Sequence, residues 1–310
     1  MRPAPLFDAV ADAPDGGRAF WLTARDGVRL RIGVWDKGAK GTVLLFPGRT
    51  EYIEKYGRAA KDLAARGFSM LTIDWRGQGL SDRLLDDPAT GHVHKFTDYQ
   101  HDVSAMCDAA RTLGLPKPWF LLAHSMGGCT GLRALMEELP VAAAVFSAPM
   151  WGIGLRPHVR PAAWALSWIS RYGRFGHRYS PGTVPDTYVS IAPFEDNLLT
   201  TDTDMYAYMQ NQLSAHPGLA LGGPSLSWLY AALTETRKLR ARPSPDIPTL
   251  TYLGSNERII DTASVHARMS RWPSGKLQMV NGAEHEVLME TPDIRKRVYD
   301  ESAAFFTAHS

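Results

Sequence analysis

The chain has 310 residues, 45% of them hydrophobic and 21% charged, with 34 Lys and Arg set against 32 Asp and Glu for a net charge of +2. That is enough apolar material for one large core with an inserted lobe, and the near-balance of charge excludes the broad basic field by which nucleic acid is bound. The two cysteines, Cys107 and Cys129, lie inside apolar helix-like patterns and read as free buried thiols rather than as a disulfide or metal framework. The stretch "MRPAPLFDAVADAPDGG" has no apolar signal core, and no later segment reaches the roughly 18 consecutive apolar residues of a membrane span. A cytoplasmic protein is expected, with no nucleic-acid partner.

In chain order, "GTVLLF" (41–46) has the continuous apolar character of a strand buried on both faces, and "YIEKYGRAAKDLAARG" then carries apolar residues at helical spacing up to Gly67. "FSMLTID" (68–74) predicts the next strand, 96–115 a helix, and "KPWFLLAH" (117–124) another strand. "MGGCTGLRALMEEL" follows as a helix closed by Pro140, and "VAAAVFSA" as a strand. Such alternation predicts an α/β fold with a mainly parallel sheet covered by helices on both faces. The pattern stops after Met150 and resumes at Pro248 with "PTLTYLG" (strand), "TASVHARMSRW" (helix), "KLQMVN" (strand) and "TPDIRKRVYDESAAFFTAH" (helix). Three parts are therefore expected: a first core part (1–149), a helical cap inserted above the sheet (150–243) and a second core part (244–310).

"LLAHSMGGCT" contains the chemistry. A strand running directly into a helix delivers Ser125 to the carboxyl edge of the sheet, where reactive groups of parallel sheets collect. The tight turn demands small residues two before and two after the serine, here Ala123 and Gly127, and it sets the hydroxyl at a helix N-terminus. Ala123 stands where the G-x-S-x-G pattern has its first glycine, and in isolation the pentapeptide also fits a helix-capping serine. A serine nucleophile needs a base, and the base needs an acid to hold its tautomer. His285, in the loop "VNGAEHEVLME" after the last predicted strand, is the base candidate among ten histidines. "TYLGSNERIIDTAS" offers two acids, Glu257 nearer the strand end and Asp261 as the alternative, the other being a helix cap or ion-pair partner. An oxyanion would be held by the main-chain N–H groups of Met126 and of Arg49, the latter following the Pro-Gly turn of "LLFPGRTEY".

Together "PGRTEYIEKY", "TIDWRGQGLSDR", "GHVHKFTDYQHD", "AHSMGG", "GSNERIID" and "GAEHEVLMET" resemble the α/β-hydrolase superfamily, and within it the bacterial lysophospholipases and monoacylglycerol lipases of the serine aminopeptidase S33 (Hydrolase-4) group. The resemblance spans 47–291 and implies a Ser125–His285–Glu257 triad, with Glu257 where many relatives carry Asp. It also implies an Arg49 and Met126 oxyanion hole, and a structural loop at "DWRGQGLSDR" with Asp74 and Arg76 in ion pairs and Gly77 and Gly79 in tight turns. Pro47 departs from the His-Gly dipeptide common in the superfamily. The expected reaction is hydrolysis of a carboxylic ester through an acyl-enzyme at Ser125, the substrate being a small-molecule acyl ester or lipid and foremost a lysophospholipid or other lipid with one acyl chain, as for a lysophospholipase or monoacylglycerol lipase; the alternatives are thioester, amide or peptide hydrolysis, acyl transfer or carbon–carbon bond hydrolysis on the same triad. A non-catalytic ligand-binding protein is the remote alternative. A serine at position 125 argues against dehalogenase and epoxide-hydrolase chemistry. No cofactor is expected, and no metal, since the "GHVHK" histidines lack carboxylate and thiol companions.

Residues 151–180 contain Arg156, Arg160, Arg171, Arg174 and Arg178 and no Asp or Glu. Trp164, Trp168 and Tyr172 recur at helical spacing beside them, which suits peripheral contact with an anionic membrane, though it also fits a cap helix packed on the core. Trp164, Trp168, Tyr206 and Trp228 are candidate walls of the substrate pocket.

Overall fold

A computed structural model of the chain describes residues 1–156 and 158–310. The strands are β1 (Arg2–Pro3), β2 (Arg18–Thr23), β3 (Arg29–Trp35), β4 (Thr42–Phe46), β5 (Ser69–Asp74), β6 (Trp119–His124), β7 (Ala144–Ser147), β8 (Thr249–Gly254) and β9 (Gly275–Val280). Among the described residues they form one sheet in the order β1-β2-β3-β5-β4-β6-β7-β8-β9. Pairing is parallel from β5 to β9 and antiparallel at the β1-β2-β3-β5 end. The helices are α1 (Asp8–Ala11), α2 (Gly57–Ala65), α3 (Tyr99–Thr112), α4 (Met126–Met136), α5 (Arg160–Tyr172), α6 (Tyr188–Ile191), α7 (Thr203–Ala215), α8 (Leu226–Ala241), α9 (Thr262–Met269) and α10 (Pro292–Ala308).

Central strands are apolar throughout because both their faces are covered. In β4, Leu44 and Phe46 join Val103, Met106, Cys129, Leu132 and Val265 on one face of the sheet. Val43 and Leu45 join Ala60, Leu63, Val298, Tyr299 and Phe306 on the other. Helices α3, α4 and α9 thus cover one face, and α2 and α10 the opposite one. Cys107 and Cys129 are free and buried. The antiparallel hairpin β2-β3 extends the sheet beyond the strands that the apolar runs predict. Its Arg31 is fully buried, 2.7 Å from both Glu54 and Asp74, so a charge that marks a solvated face in sequence stands here inside the molecule.

Between β7 and β8 the chain leaves the sheet and forms α5 to α8 above its carboxyl edge, with no strand among the described residues of that segment. Helix α8 is seated on the core through Trp228, Ala231, Ala232 and Leu239. Helix α7 is held by Tyr208, whose hydroxyl donates to the carbonyls of Ala11 (2.6 Å) and Glu54 (2.9 Å).

Candidate active site

Ser125 lies between β6 and α4 with φ +49° and ψ −116°, a conformation that L-residues rarely adopt. Its hydrogen bonds and a close approach enforce it. Ser125 N–H donates to Ser147 O (3.1 Å), Ser125 O accepts from Met150 N (2.8 Å) and from Gly128 N (2.9 Å), and a Cβ at Gly127 would collide with the Phe46 carbonyl oxygen. The strain turns the hydroxyl out over the sheet edge, where it meets His285.

His285 Nε2 is 2.8 Å from Ser125 Oγ, and His285 Nδ1 is 2.6 Å from Glu257 Oε2. The second oxygen of Glu257 accepts from Ile259 N (2.6 Å) and Ile260 N (3.1 Å), so the carboxylate is fixed by its own loop. Burial works to raise the Glu257 carboxyl, but the hydrogen bond and charge of His285 with the two loop N–H groups outweigh it, and the group stays below the ordinary glutamate value. Asp261 is elsewhere: it caps α9, accepting from Ser264 N (3.4 Å) and Ser264 Oγ (2.8 Å), and lies 3.4 Å from Arg160. A cap is the ordinary use of an aspartate at that position.

The Met126 N–H opens α4, and the Arg49 N–H sits in the turn after β4. On either side of it, Gly48 N–H is bonded to the Glu51 carboxylate and Thr50 N–H to Gln78 Oε1 (2.8 Å). Among the described residues neither the Arg49 nor the Met126 N–H has an acceptor. Two free donors beside an activated hydroxyl can hold an oxyanion.

Beneath the three residues lies a buried group of charges that was not singled out from sequence. Lys55 Nζ bridges Glu51 (2.6 Å) and Glu286 (2.5 Å), and Tyr56 donates its hydroxyl to Glu51 (2.5 Å). His124 directs Nδ1 to Ser147 O (3.1 Å) and brings Nε2 to 3.3 Å from Glu286 and 3.6 Å from Glu51, close enough for ion pairing without the alignment of a hydrogen bond. Burial alone would discharge His124, yet Glu286 and Glu51 raise its ring above the ordinary histidine value, while His124 and Lys55 hold Glu286 well below the ordinary glutamate value against burial. Two acidic side chains thus face the Lys55 amine and the His124 ring in one buried group. Glu51, His124 and Glu286 could in principle ligate a metal, but Lys55 already fills the space between the carboxylates. The signal for this group was a charge cluster within the apolar pattern of "EYIEKY" and a carboxylate directly after His285.

Ser125 and His285 open into a cavity of about 350 Å3, walled by Met150, Ile153, Val189, Leu199, Met209 and Leu213. Trp228 is on its wall. The other three aromatic candidates are not. Trp164 borders a smaller crevice between α5 and α8, Trp168 is 50% exposed on the outer side of α5, and Tyr206 is buried within the cap against Phe194. Helical spacing placed Trp164 and Trp168 on one stripe but did not determine which way the stripe turns. The "GHVHK" histidines serve the seam between core and cap: His92 Nδ1 is 2.8 Å from Ser225 Oγ, and His92 Nε2 is 3.4 Å from His94.

The chain is 33% identical over 281 residues to lysophospholipase L2 of Escherichia coli, covering 86% of this chain and 81% of that one. It is 28% identical over 277 residues to the probable lysophospholipase L2 of Haemophilus influenzae, covering 89% and 86%. Among solved structures, a soluble variant of monoglyceride lipase from Saccharomyces cerevisiae superposes with a TM-score of 0.72 at 20% identity, covering 93% of this chain and 94% of that one, which speaks for the fold alone. The family described as serine aminopeptidase, S33 (Hydrolase-4) matches residues 37–292, and the chain belongs to that family of α/β-hydrolases.

Proposed function

We propose that the protein is a serine hydrolase acting on esters of single-chain lipids, lysophospholipids or monoacylglycerols, with Ser125 as nucleophile, His285 as general base and acid, and Glu257 as the acid that orients it. The observation that carries this reading is the unbroken line Glu257 Oε2, His285 Nδ1, His285 Nε2, Ser125 Oγ, with steps of 2.6 and 2.8 Å. Ser125 Oγ attacks the ester carbonyl carbon while His285 Nε2 takes its proton, and the carbonyl oxygen becomes an oxyanion between the Arg49 and Met126 N–H groups. Each such donor supplies roughly 2.7–4 kcal/mol of transition-state stabilisation. As the intermediate collapses, the carbon–oxygen bond to the leaving alcohol breaks and His285 hands the proton to that oxygen. Water then attacks the acyl-enzyme by the same route and releases the fatty acid. The apolar wall formed by Val189, Leu199, Met209 and Leu213 suits an acyl chain, and the similarity to lysophospholipase L2 of Escherichia coli supports a lipid substrate. A fluorophosphonate probe should label the protein at Ser125 and should leave Ser125→Ala unlabelled. No labelling of the folded native protein would overturn the reading.

The cap supports a second part of the proposal, peripheral docking on an anionic membrane. Val159, Leu166, Trp168, Ile169, Tyr172, Val184, Tyr188 and Ile191 are large apolar side chains exposed in one stretch of the cap. Arg156, Arg171, Arg174 and Arg178 are exposed among them. Exposed aromatics flanked by arginines suit a headgroup layer, and no described helix is long and apolar enough to cross a membrane.

A further inference from the structure

The side chain of Arg49 stands apart from the other arginines. Most buried or half-buried arginines of the core meet carboxylates: Arg31 meets Glu54 and Asp74, Arg76 meets Asp26 and Asp102, and Arg133 meets Glu235. Three do not: Arg83 and Arg268 distribute their N–H groups over three acceptors each, Gly77 O, Gly218 O and Ala220 O for the first, Leu239 O, Arg242 O and Ser244 Oγ for the second, and half-buried Arg242, which does not line the catalytic cavity, bonds Met136 O. Arg49 has neither arrangement. Its guanidinium, with five donors to place, makes one hydrogen bond among the described residues, from Nη1 to Gly222 O at 2.7 Å. It also stands over the face of Trp228, 5.8 Å from the ring centroid. Burial pushes the group down to about 10, with Tyr99 opposing, so at neutral pH it is a cation without a counter-ion.

Arg49 and Trp228 both line the catalytic cavity. The other charged residues of that wall, Glu51, Lys55 and Glu286, answer one another and His124, and His285 is held by Glu257. Arg49 therefore adds to this wall a cation that no carboxylate meets among the described residues. Its main-chain N–H is at the same time a free donor on the oxyanion side, so the two ends of one residue offer a donor to an ester carbonyl and, one arginine side chain away, a planar cation. A glycerol carrying an acyl ester at one end and a phosphate at the other presents the complementary pair. We propose that the Arg49 guanidinium anchors the phosphodiester of a single-chain phospholipid and makes the site selective for that class over the uncharged monoacylglycerol. Guanidinium suits the task because its forked donors match phosphate oxygens in pairs. The proposal rests on the esterase reading above and chooses between its two substrate classes.

The test compares the native protein with Arg49→Gln and Arg49→Lys on 1-lauroyl lysophosphatidylcholine and 1-lauroyl glycerol, each in mixed micelles of the same non-ionic detergent so that surface charge is constant. In Arg49→Gln the ratio of kcat/KM for phospholipid over glyceride should fall about tenfold, through KM, as for loss of one charge-assisted contact. Arg49→Lys should recover part of it. An equal loss on both substrates would overturn the proposal, since an arginine that only ties the cap at Gly222 moves both alike. So would a native protein that cleaves lauroyl glycerol and not the phospholipid, a result that leaves the esterase reading standing. Hydrolysis of p-nitrophenyl butyrate inhibited by inorganic phosphate in the native protein but not in Arg49→Gln, with an unchanged lipid ratio, would assign the guanidinium to free phosphate and also overturn it. Absence of all ester hydrolysis, with Ser125 unlabelled, would instead sink the reading on which it rests.

Discussion

Arg31 in the core is fully buried and 2.7 Å from each of two carboxylates, whereas Arg171, Arg174 and Arg178 in the cap are exposed and meet no carboxylate among the described residues. The apolar surfaces differ in the same way. Helix α4 buries ten consecutive residues, Met126 to Leu135, while α5 buries only Ser167 and Ser170 and leaves Tyr172 74% exposed. A buried charge without a partner costs several kcal/mol, so the core, Arg49 apart, meets its charges internally around the catalytic line. On the surface, solvent makes that requirement lapse, and α5 leaves its apolar and basic side chains exposed. On the proposed reading, one region specifies the reaction and the other the surface at which it happens.

The comparison breaks first if a change in the core leaves the reaction intact. Glu257→Gln should lower kcat by about three to four orders of magnitude at pH 7, because an amide no longer stabilises the imidazolium or holds the ring. Asp261→Asn should change kcat only severalfold and lower stability by roughly 0.5–2 kcal/mol through the weakened α9 cap. Steady-state kinetics with p-nitrophenyl butyrate, beside thermal melts, separates the two, and a larger kinetic loss at 261 would reverse the assignment. The cap side is sharpened by Arg171→Gln, Arg174→Gln and Arg178→Gln together. At about 1 kcal/mol for each arginine near an anionic surface, the triple change should weaken co-sedimentation with phosphatidylserine vesicles up to about a hundredfold at low salt and leave p-nitrophenyl butyrate hydrolysis unchanged. Unaltered vesicle binding would return α5 to an ordinary solvated helix.

The smallest expected effect lies at the seam. Burial, followed by the charges of His94 and His177, pushes His92 down to about 4. Its folded value is below that of the unfolded chain, about 6.5, so the unfolded state binds the proton first. The contribution of neutral His92 is then complete above pH 6.5 and is lost as pH falls from 6.5 towards 4. By pH 5.5 the loss should reach about 1 kcal/mol, read as a steeper fall of Tm between pH 7 and 5 in the native protein than in His92→Gln. Parallel curves would show that the histidine is not a latch between core and cap.

How much of this could be read from the sequence follows from where each signal resides. Strands β4 to β8 were legible because burial on both faces makes each a continuous apolar run. Strands β2 and β3 were not, since Arg29 and Arg31 interrupt their pattern and the carboxylates that answer Arg31 are 23 and 43 residues away. Ser125, His285 and the two candidate acids could be picked out because a strand-to-helix turn with small neighbours is a local pattern and the partners follow at later strand ends. The separation of Glu257 from Asp261 depended on which carboxylate the Ile259 and Ile260 amides fix beneath the imidazole. In the charge group under the site the members leave a local trace, but their pairing does not: Lys55 and Glu286 are 231 positions apart and meet only once the sheet has formed. Aromatic spacing on α5 placed Trp164 and Trp168 on one stripe, yet what α5 packs against depends on α8, more than fifty residues downstream.

One contact between the two regions carries a mechanical consequence. The carbonyls of Leu198 and Leu199, in the segment between α6 and α7, accept the N–H groups of His285 (3.4 Å) and Glu286 (2.7 Å). Two rungs thus fasten the roof to the loop that bears the imidazole. A roof that lifts to admit a lipid would pull on those rungs, and the general base would be drawn out of register until the roof settles again, so that arrival of substrate and readiness for proton transfer become a single event.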